Sequence, residues 1–132
     1  MSNDNVKLIQ EAYAAFGRRD MEALIGAMTP DVDWAMVGRA SDFPTFGAWP
    51  GADKVREFFR SVGDTIDFHD FSPREFYPSG DKVFVLGRYE GTVKKTGRRL
   101  ASDWVHVFTI RDGKVAQFRE FADTAAIAEA GR

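Results

Sequence analysis

Apolar residues in the first part of the chain recur every three or four positions, the spacing of a helix with one buried face. The first such series is Val6, Ile9, Tyr13 and Phe16. Gly17 offers this helix a C-terminal stop, and Asp20 can cap a second, shorter helix. A third helix is predicted after an N-cap at Asp53. Its inner side would carry Val55, Phe58, Phe59, Val62 and Ile66.

Between the second and third helices the pattern changes. Residues 31–37 alternate apolar and acidic side chains and predict a short strand. Residues 38–52 form a loop rich in Gly and Pro that also contains Phe43, Phe46 and Trp49. Because loops of this composition usually fold back over something apolar, we expect this one to cover the mouth of a cavity.

After the third helix the apolar period becomes two. This period predicts four strands, near residues 67–77, 82–94, 99–111 and 114–122. Thr124 can cap a short final helix. The element order α-α-β-α-β-β-β-β-α predicts one α+β domain over residues 1–132, with three helices against a single antiparallel, strongly curved sheet.

The last two strands form a hairpin whose loop decides which residues face each other. A two-residue loop at positions 112–113 would put His106 and Glu120 on opposite faces. A three-residue loop, with Gly113 as a left-handed bulge residue, would pair His106 with Phe118 and Trp104 with Glu120. We favour the bulged register because it gathers the bulky aromatic residues on one face with the histidine and the carboxylate. These aromatic residues are Trp104, Phe108 and Phe118.

In the bulged register, His106 and Glu120 lie diagonally across adjacent strands, roughly 5–8 Å apart. A histidine and a carboxylate in a poorly hydrated aromatic pocket can exchange protons with a ligand. A buried pair that serves only the fold is the other interpretation, and residue types alone leave both open.

Composition narrows the function classes. The chain is 44% hydrophobic and contains no cysteine, which excludes disulfides, thiolate metal sites and cysteine nucleophiles. Its formal net charge of −2 gives no sign of a nucleic-acid partner. The N-terminal sequence lacks the pattern of a secretion signal, and no apolar run is long enough for a membrane span, so we expect a cytoplasmic protein without membrane contact. No metal-ligand cluster, P-loop or dinucleotide motif occurs, and we expect no cofactor.

The chain resembles the nuclear transport factor 2-like superfamily, in particular its SnoaL-like and ketosteroid isomerase-like branch. The resemblance is carried by the segments "NVKLIQEAYAAFGRRDMEALIGAMTPDVDW", "GADKVREFF" and "WVHVFTIRDGKVAQFREFADT". It implies a cone-shaped, curved antiparallel sheet wrapped around three helices, with an internal cavity for a hydrophobic small molecule. It also implies a homodimer formed through the sheet.

The same resemblance suggests roles for individual residues. SnoaL-like polyketide cyclases carry a pocket histidine and, fourteen positions later, an acidic residue that acts as acid or base. His106 and Glu120 match this spacing, with Glu in place of the usual Asp. Tyr13 falls at the tyrosine position of ketosteroid isomerases, where a hydrogen bond would stabilise an enolate oxygen. The aspartate base of those isomerases falls near Met36, so steroid isomerisation by that route is not expected.

A third pattern is that of limonene-epoxide-hydrolase-like enzymes. Arg88, Glu90 and Glu120 resemble their charged trio, but the positions that orient water fall on Trp34 and Met36. Strand alternation does not decide whether Arg88 and Glu90 face the cavity. The expected ligand-binding residues are Trp34, Met36, Trp49, Phe58, Phe59, Arg88, Glu90, Trp104 and Phe118.

Our first hypothesis is therefore a cofactor-independent isomerase or cyclase that acts on a hydrophobic carbonyl compound. His106, Glu120 and Tyr13 would be its catalytic residues. The alternatives are a non-catalytic small-ligand-binding protein of the same fold and an epoxide-hydrolase-like enzyme, since fold analogy does not separate them.

Overall fold

The computed structural model describes residues 2–132. It contains four α-helices, which we label α1 to α4 in chain order. Their bounds are Ser2–Gly17, Met21–Gly26, Ala52–Thr65 and Thr124–Ala130. No helix in this part of the chain is both long enough and apolar enough to cross a lipid bilayer.

Two of the three predicted helix caps lie elsewhere. Asp20 caps α2 as predicted, because its carboxylate accepts a hydrogen bond from the amide of Ala23 at 3.1 Å. The N-cap of α3 is Gly51, not Asp53, and it makes no side-chain hydrogen bond. The N-cap of α4 is Asp123, one residue before the predicted Thr124, and its carboxylate accepts from the amide of Ala126.

Six strands form one sheet, and we label them β1 to β6. Their bounds are Met28–Met36, Gly47–Ala48, Ile66–Ser79, Lys82–Val93, Arg99–Arg111 and Lys114–Ala122. The strand order is β2-β1-β6-β5-β4-β3. The prediction of a purely antiparallel sheet is wrong at one place, because β1 runs parallel to β6. The fold is therefore α+β, with a mixed and mostly antiparallel sheet.

The parallel pairing matters for the site. It places Trp34 beside Phe118 and Met36 beside Glu120. Residues directly paired across two strands lie on the same face of a sheet. The first strand thus contributes side chains to the same face as the closing hairpin, although the two segments are far apart in the sequence.

The closing hairpin reaches the predicted faces by a different register. Its loop has two residues, Asp112 and Gly113, with φ of 53° and 74°, which is typical of a type I′ turn. The extra residue lies further along β6, since Ala116 is left between the pairs Ile110–Val115 and Thr109–Gln117. The predicted Gly113 bulge is therefore wrong.

The bulge at Ala116 shifts the register by one residue. As a result, His106 lies directly opposite Glu120, and Phe108 lies opposite Phe118. The predicted diagonal arrangement is corrected to a direct cross-strand pair. The predicted register paired His106 with Phe118, and the observed one pairs it with Glu120, two residues further on. The predicted faces are still correct, because a shift of two residues leaves every side chain on the same side of the sheet.

Candidate functional site

His106 and Glu120 form a buried pair at the centre of the sheet. Their side chains come from β5 and β6, and the residues are 4% and 6% exposed. The distance from His106 Nε2 to Glu120 Oε1 is 3.0 Å. A buried carboxylate needs hydrogen-bond donors to replace water, and the histidine supplies one of them.

Tyr13 extends the pair from the helical side. It lies on α1 and is half-buried, and its hydroxyl is 2.6 Å from His106 Nδ1. The phenol and imidazole rings are nearly parallel, with 5.9 Å between their centroids and 16° between their planes. The three residues predicted as catalytic are thus joined by hydrogen bonds, although they come from three separate elements.

Tyr89 is the fourth residue in this hydrogen-bonded series, and the sequence pattern did not predict its role. Its hydroxyl lies on β4 and donates to Glu120 Oε2 at 2.7 Å. The residue is 4% exposed. Both faces of β4 carry apolar residues, so alternation alone did not show which face is inside. The small residues Gly87 and Gly91 on the same face as Tyr89 were the available signal, because a glycine within a strand marks a close approach.

Burial keeps both tyrosines protonated. It raises the pKa of Tyr13, and the nearby Glu120 charge raises it further. The pKa of Tyr89 is also raised, first by burial, then by the Glu120 charge and by the hydrogen bond to Glu120. Each tyrosine therefore acts as a neutral hydroxyl and not as a phenolate.

For a Glu120 carboxylate, two proton placements on His106 and Tyr13 satisfy the observed distances. With a neutral imidazole, Nε2–H donates to Glu120 and the Tyr13 hydroxyl donates to Nδ1. With an imidazolium, both ring nitrogens donate, and the Tyr13 oxygen accepts from Nδ1–H. In the second placement the Tyr13 hydroxyl is free to donate a hydrogen bond to a ligand. The position of one proton on His106 thus decides which way Tyr13 donates.

The ring of Trp104 packs against the imidazole of His106. It stacks on His106 with centroids 3.8 Å apart and planes 17° apart. Gly87 makes room for this ring, because a Cβ atom there would lie 2.3 Å from Trp104 Cζ2. Trp104 is therefore a packing partner of His106 and is absent from the pocket wall described next.

A pocket of about 80 Å³ lies against these polar groups. Tyr13, Tyr89, His106 and Glu120 all reach its wall, which is otherwise almost entirely apolar. Five of the predicted ligand-binding residues line it, namely Trp34, Met36, Phe58, Phe59 and Phe118. We call this space the inner pocket.

Besides Trp104, three other predicted ligand-binding residues lie outside the inner pocket. Arg88 and Glu90 point from the other face of β4, where they form an ion pair at 3.3 Å. Trp49 is half-buried and packs on Phe58 with 5.7 Å between the ring centroids. Alternation explains the first two, since neighbours of the inward Tyr89 must point outward.

The loop after β1 contributes a wall. Phe43 and Thr45 line the inner pocket, and both are buried. Phe46 is buried as well but lies behind them, in contact with Phe43 at 5.3 Å between ring centroids. Contact of this loop with a ligand stays a prediction.

A larger, open depression adjoins the inner pocket. Its volume is about 490 Å³, and it lies between α1, α2, the end of α3 and the start of β3. The two spaces share wall residues, among them Phe16, Phe59, Phe68 and Phe71. We call this space the outer pocket. Charged residues surround it, including Arg19, Asp20, Asp67 and Lys94.

Comparison with known proteins identifies the family of this chain. Residues 9–118 match the SnoaL-like domain. The chain belongs to the SnoaL-like domain family. The resemblance inferred from the sequence is thereby confirmed. No curated protein matches the chain.

Solved structures of similar proteins agree with the SnoaL-like assignment. A nuclear transport factor 2-like protein from Burkholderia xenovorans is 30% identical with a TM-score of 0.91, over 100% of this chain and 98% of that one. A nuclear transport factor 2-like protein of unknown function from Burkholderia pseudomallei is 33% identical with a TM-score of 0.88, over 98% of each chain. TerC, co-crystallised with polyporic acid, is 33% identical with a TM-score of 0.86, over 96% of this chain and 97% of that one.

Proposed function

We propose that this SnoaL-like protein catalyses cofactor-independent proton transfer on a hydrophobic carbonyl compound, as an isomerase or cyclase does. The observation that carries the proposal is the series Tyr13–His106–Glu120–Tyr89, in which each neighbouring pair is hydrogen-bonded and every member reaches the inner pocket. A general acid and a general base held against one apolar space are what such a reaction requires.

The placement with an imidazolium at His106 gives a first step in which protons and charges balance. Glu120 takes a proton from the carbon next to the carbonyl group. At the same time Tyr13 gives its proton to the carbonyl oxygen and receives the Nδ1 proton of His106. The ligand becomes an enol, Glu120 becomes a carboxylic acid, His106 becomes neutral, and Tyr13 is a phenol before and after the step. The Glu120 proton then moves to a different carbon, while the enol O–H proton returns to Tyr13 and the Tyr13 proton returns to His106 Nδ1. This second step completes an isomerisation and restores all three residues.

Tyr89 positions the base in this scheme. Its hydroxyl holds Glu120 Oε2 at 2.7 Å, while Oε1 is held by His106. With both oxygens fixed, the carboxylate keeps one orientation towards the pocket. Fixed geometry contributes to rate because the reacting groups need not be ordered during the reaction.

The size of the pockets constrains the ligand. The inner pocket, about 80 Å³, is smaller than the roughly 300–1,000 Å³ typical of sites for drug-sized ligands. Together with the outer pocket the space falls within that range. The proposal therefore places one carbonyl-bearing ring inside and the remainder of the molecule in the outer pocket. The polyporic acid co-crystallised with TerC supports a ligand of cyclic, oxygen-bearing type.

Deuterium exchange tests the proposal directly. Bicyclic ketones such as 1-indanone, 1-tetralone and 2-tetralone are incubated in D₂O with the protein, and NMR follows exchange next to the carbonyl. We expect the wild-type protein to accelerate exchange and Glu120→Gln to lower that acceleration by about 100-fold or more, while ligand affinity changes little.

The matched control is Glu90→Gln, which makes the same change on the face of the sheet that points away from the inner pocket. We call this the outer face. We expect it to exchange like the wild type. Binding of the ketones without accelerated exchange would identify a binding protein and contradict the enzymatic proposal. Equal loss of exchange in both variants would contradict the role of Glu120.

We also propose that the outer face of the sheet pairs two copies of the chain. Leu86, Val105 and Phe121 are direct cross-strand neighbours on this face, and Phe121 is 47% exposed. A contiguous apolar row on the outside of a sheet favours association. Light scattering should give twice the chain mass, and Phe121→Lys should give the single chain mass. A wild-type monomer at micromolar concentration would contradict the proposal.

A further inference from the structure

Trp34 lines the inner pocket on the other side of Phe118 from His106. It lies on β1 and is 4% exposed. Phe118 stacks on its indole with 3.9 Å between ring centroids, and the same Phe118 ring meets the His106 imidazole edge-on at 4.8 Å. One aromatic ring therefore separates Trp34 from His106.

The indole N–H of Trp34 is buried and has no hydrogen-bond acceptor among the described residues. Leaving a buried donor unsatisfied costs on the order of 1–3 kcal/mol. Such groups are rare enough in folded proteins to call for an explanation. Trp49 shows the ordinary arrangement, since its indole N–H donates to the carbonyl oxygen of Thr45 at 3.1 Å.

Trp104 has the same unsatisfied indole N–H, but its surroundings differ. It is absent from the wall of the inner pocket, whereas Trp34 is part of that wall. Of these two tryptophans, only Trp34 borders the space that a ligand would fill. Nothing in the structure indicates an acceptor for Trp104.

We infer that Trp34 donates its indole N–H to a second oxygen of the ligand. The inference rests on the proposed function and narrows its substrate class. The ligand would be a flat cyclic compound with two oxygen acceptors about one ring apart, such as a diketone, a quinone or a hydroxyketone. One oxygen would meet Tyr13 and the other would meet Trp34. Trp34 is then a specificity-determining residue that takes no part in proton transfer.

Two probes of one skeleton test this inference. 1-Tetralone has one carbonyl oxygen, and 1,4-naphthoquinone has two at opposite ends of the same ring. The absence of cysteine removes thiol addition to the quinone as a complication. Calorimetry should show that the wild type binds the quinone roughly 3–10-fold more tightly than the ketone, as expected for one added hydrogen bond.

The variant Trp34→Phe should lose this preference by weakening only the quinone complex. Trp49→Phe is the matched control, because it removes an indole N–H that already has a protein partner, and it should keep the wild-type ratio. Trp34→Tyr restores a donor to the wall and should recover part of the preference. Its result also covers the case in which Trp34→Phe does not fold.

The two proposals fail in distinguishable ways. A wild type without preference for the quinone, or a Trp34→Phe protein that retains the preference, overturns the Trp34 inference and leaves Glu120-dependent exchange of 1-tetralone as it stands. Binding of 1-tetralone without accelerated exchange overturns the enzymatic proposal, while the Trp34 inference is still decided by the affinity ratio. Absence of binding by both probes overturns both.

Discussion

The two faces of the sheet hold acidic residues in opposite settings. On the outer face, Glu90 is held by Arg88 and Arg99, and hydrogen bonds from these two cations, Arg99 before Arg88, lower its pKa. On the inner face, the hydrogen-bond partners of Glu120 are His106 and Tyr89, neither of which carries a permanent charge. Arginine partners favour the ionised form of the Glu90 carboxylate, whereas the partners of Glu120 are one imidazole and one phenol.

This difference shows that conspicuous charges in the sequence are a poor guide to the enclosed polar groups of this fold. The outer network is the more conspicuous in the sequence, because Arg88, Glu90, Arg99 and Asp103 are plainly charged. Exposed ion pairs of this kind contribute little and are screened by salt. The inner series has fewer charges, and each is enclosed by aromatic rings. We therefore expect inner substitutions to have large effects and matched outer ones to have small effects.

The largest expected effect concerns the close packing behind His106. In Gly87→Ala the new Cβ would lie 2.3 Å from the Trp104 ring and 2.6 Å from the backbone oxygen of Ser72. Overpacking against a rigid ring and a strand backbone should lower the free energy of unfolding by about 3 kcal/mol or more. Urea denaturation measures this change.

Gly63→Ala is the control for that substitution. Gly63 lies in α3, and a Cβ there would meet nothing within 4 Å. The replacement should stabilise the protein by about 0.5–1 kcal/mol, because alanine favours a helix. If both glycine variants had equal stability, the inner face would be less tightly packed than the structure indicates.

The contrast between the faces also shows what a sequence can predict. The bulged register, chosen because it gathers the aromatic residues on one face, placed His106 and Glu120 on the same face correctly, since a register shift of two leaves every side chain on its side. The register itself was wrong, since the bulge at Ala116 has no distinguishing residue type. The hydrogen bond of Tyr89 to Glu120 and the parallel pairing of β1 with β6 were missed for another reason. Both depend on contacts between segments distant in the chain, which local patterns do not encode.

The second effect is a loss of stability at alkaline pH. The pKa values of Tyr13 and Tyr89 are raised in the folded protein, whereas an unfolded tyrosine titrates near 10. Above about pH 10 the unfolded chain releases protons that the folded chain retains, so the free energy of unfolding falls as pH rises. Above pH 10 each of these two tyrosines lowers the free energy of unfolding by about 1.4 kcal/mol per pH unit. Below pH 10 their stabilising contribution is fully present.

Tyr77 provides the comparison in the same titration. It is 52% exposed, and its pKa is raised mainly by a hydrogen bond to Glu75. Absorbance should show Tyr77 ionising in the folded protein and the two inner tyrosines ionising only with loss of structure. The double variant Tyr13→Phe/Tyr89→Phe should flatten the pH dependence of unfolding. Ionisation of all three tyrosines before unfolding would contradict the assignment.

The smallest expected effect removes one hydroxyl on each face. Tyr89→Phe deletes the buried donor to Glu120 Oε2 and leaves that oxygen without its partner. We expect the free energy of unfolding to fall by about 1–2 kcal/mol. The reason is that the buried Glu120 oxygen would then have neither water nor a protein donor as its hydrogen-bond partner. Tyr77→Phe deletes an exposed hydroxyl bonded to Glu75, and water can replace it.

Urea denaturation of the two variants measures the contrast, with Tyr77→Phe expected to match the wild type within error. The exchange assay adds a second readout that a purely structural Tyr89 would not affect. If Tyr89 positions the base, Tyr89→Phe should lower the exchange rate at saturating ketone about 10-fold, with the apparent affinity for the ketone nearly unchanged. An exchange rate that falls only in proportion to the fraction of folded protein would show that the hydroxyl of Tyr89 stabilises the inner face without orienting Glu120.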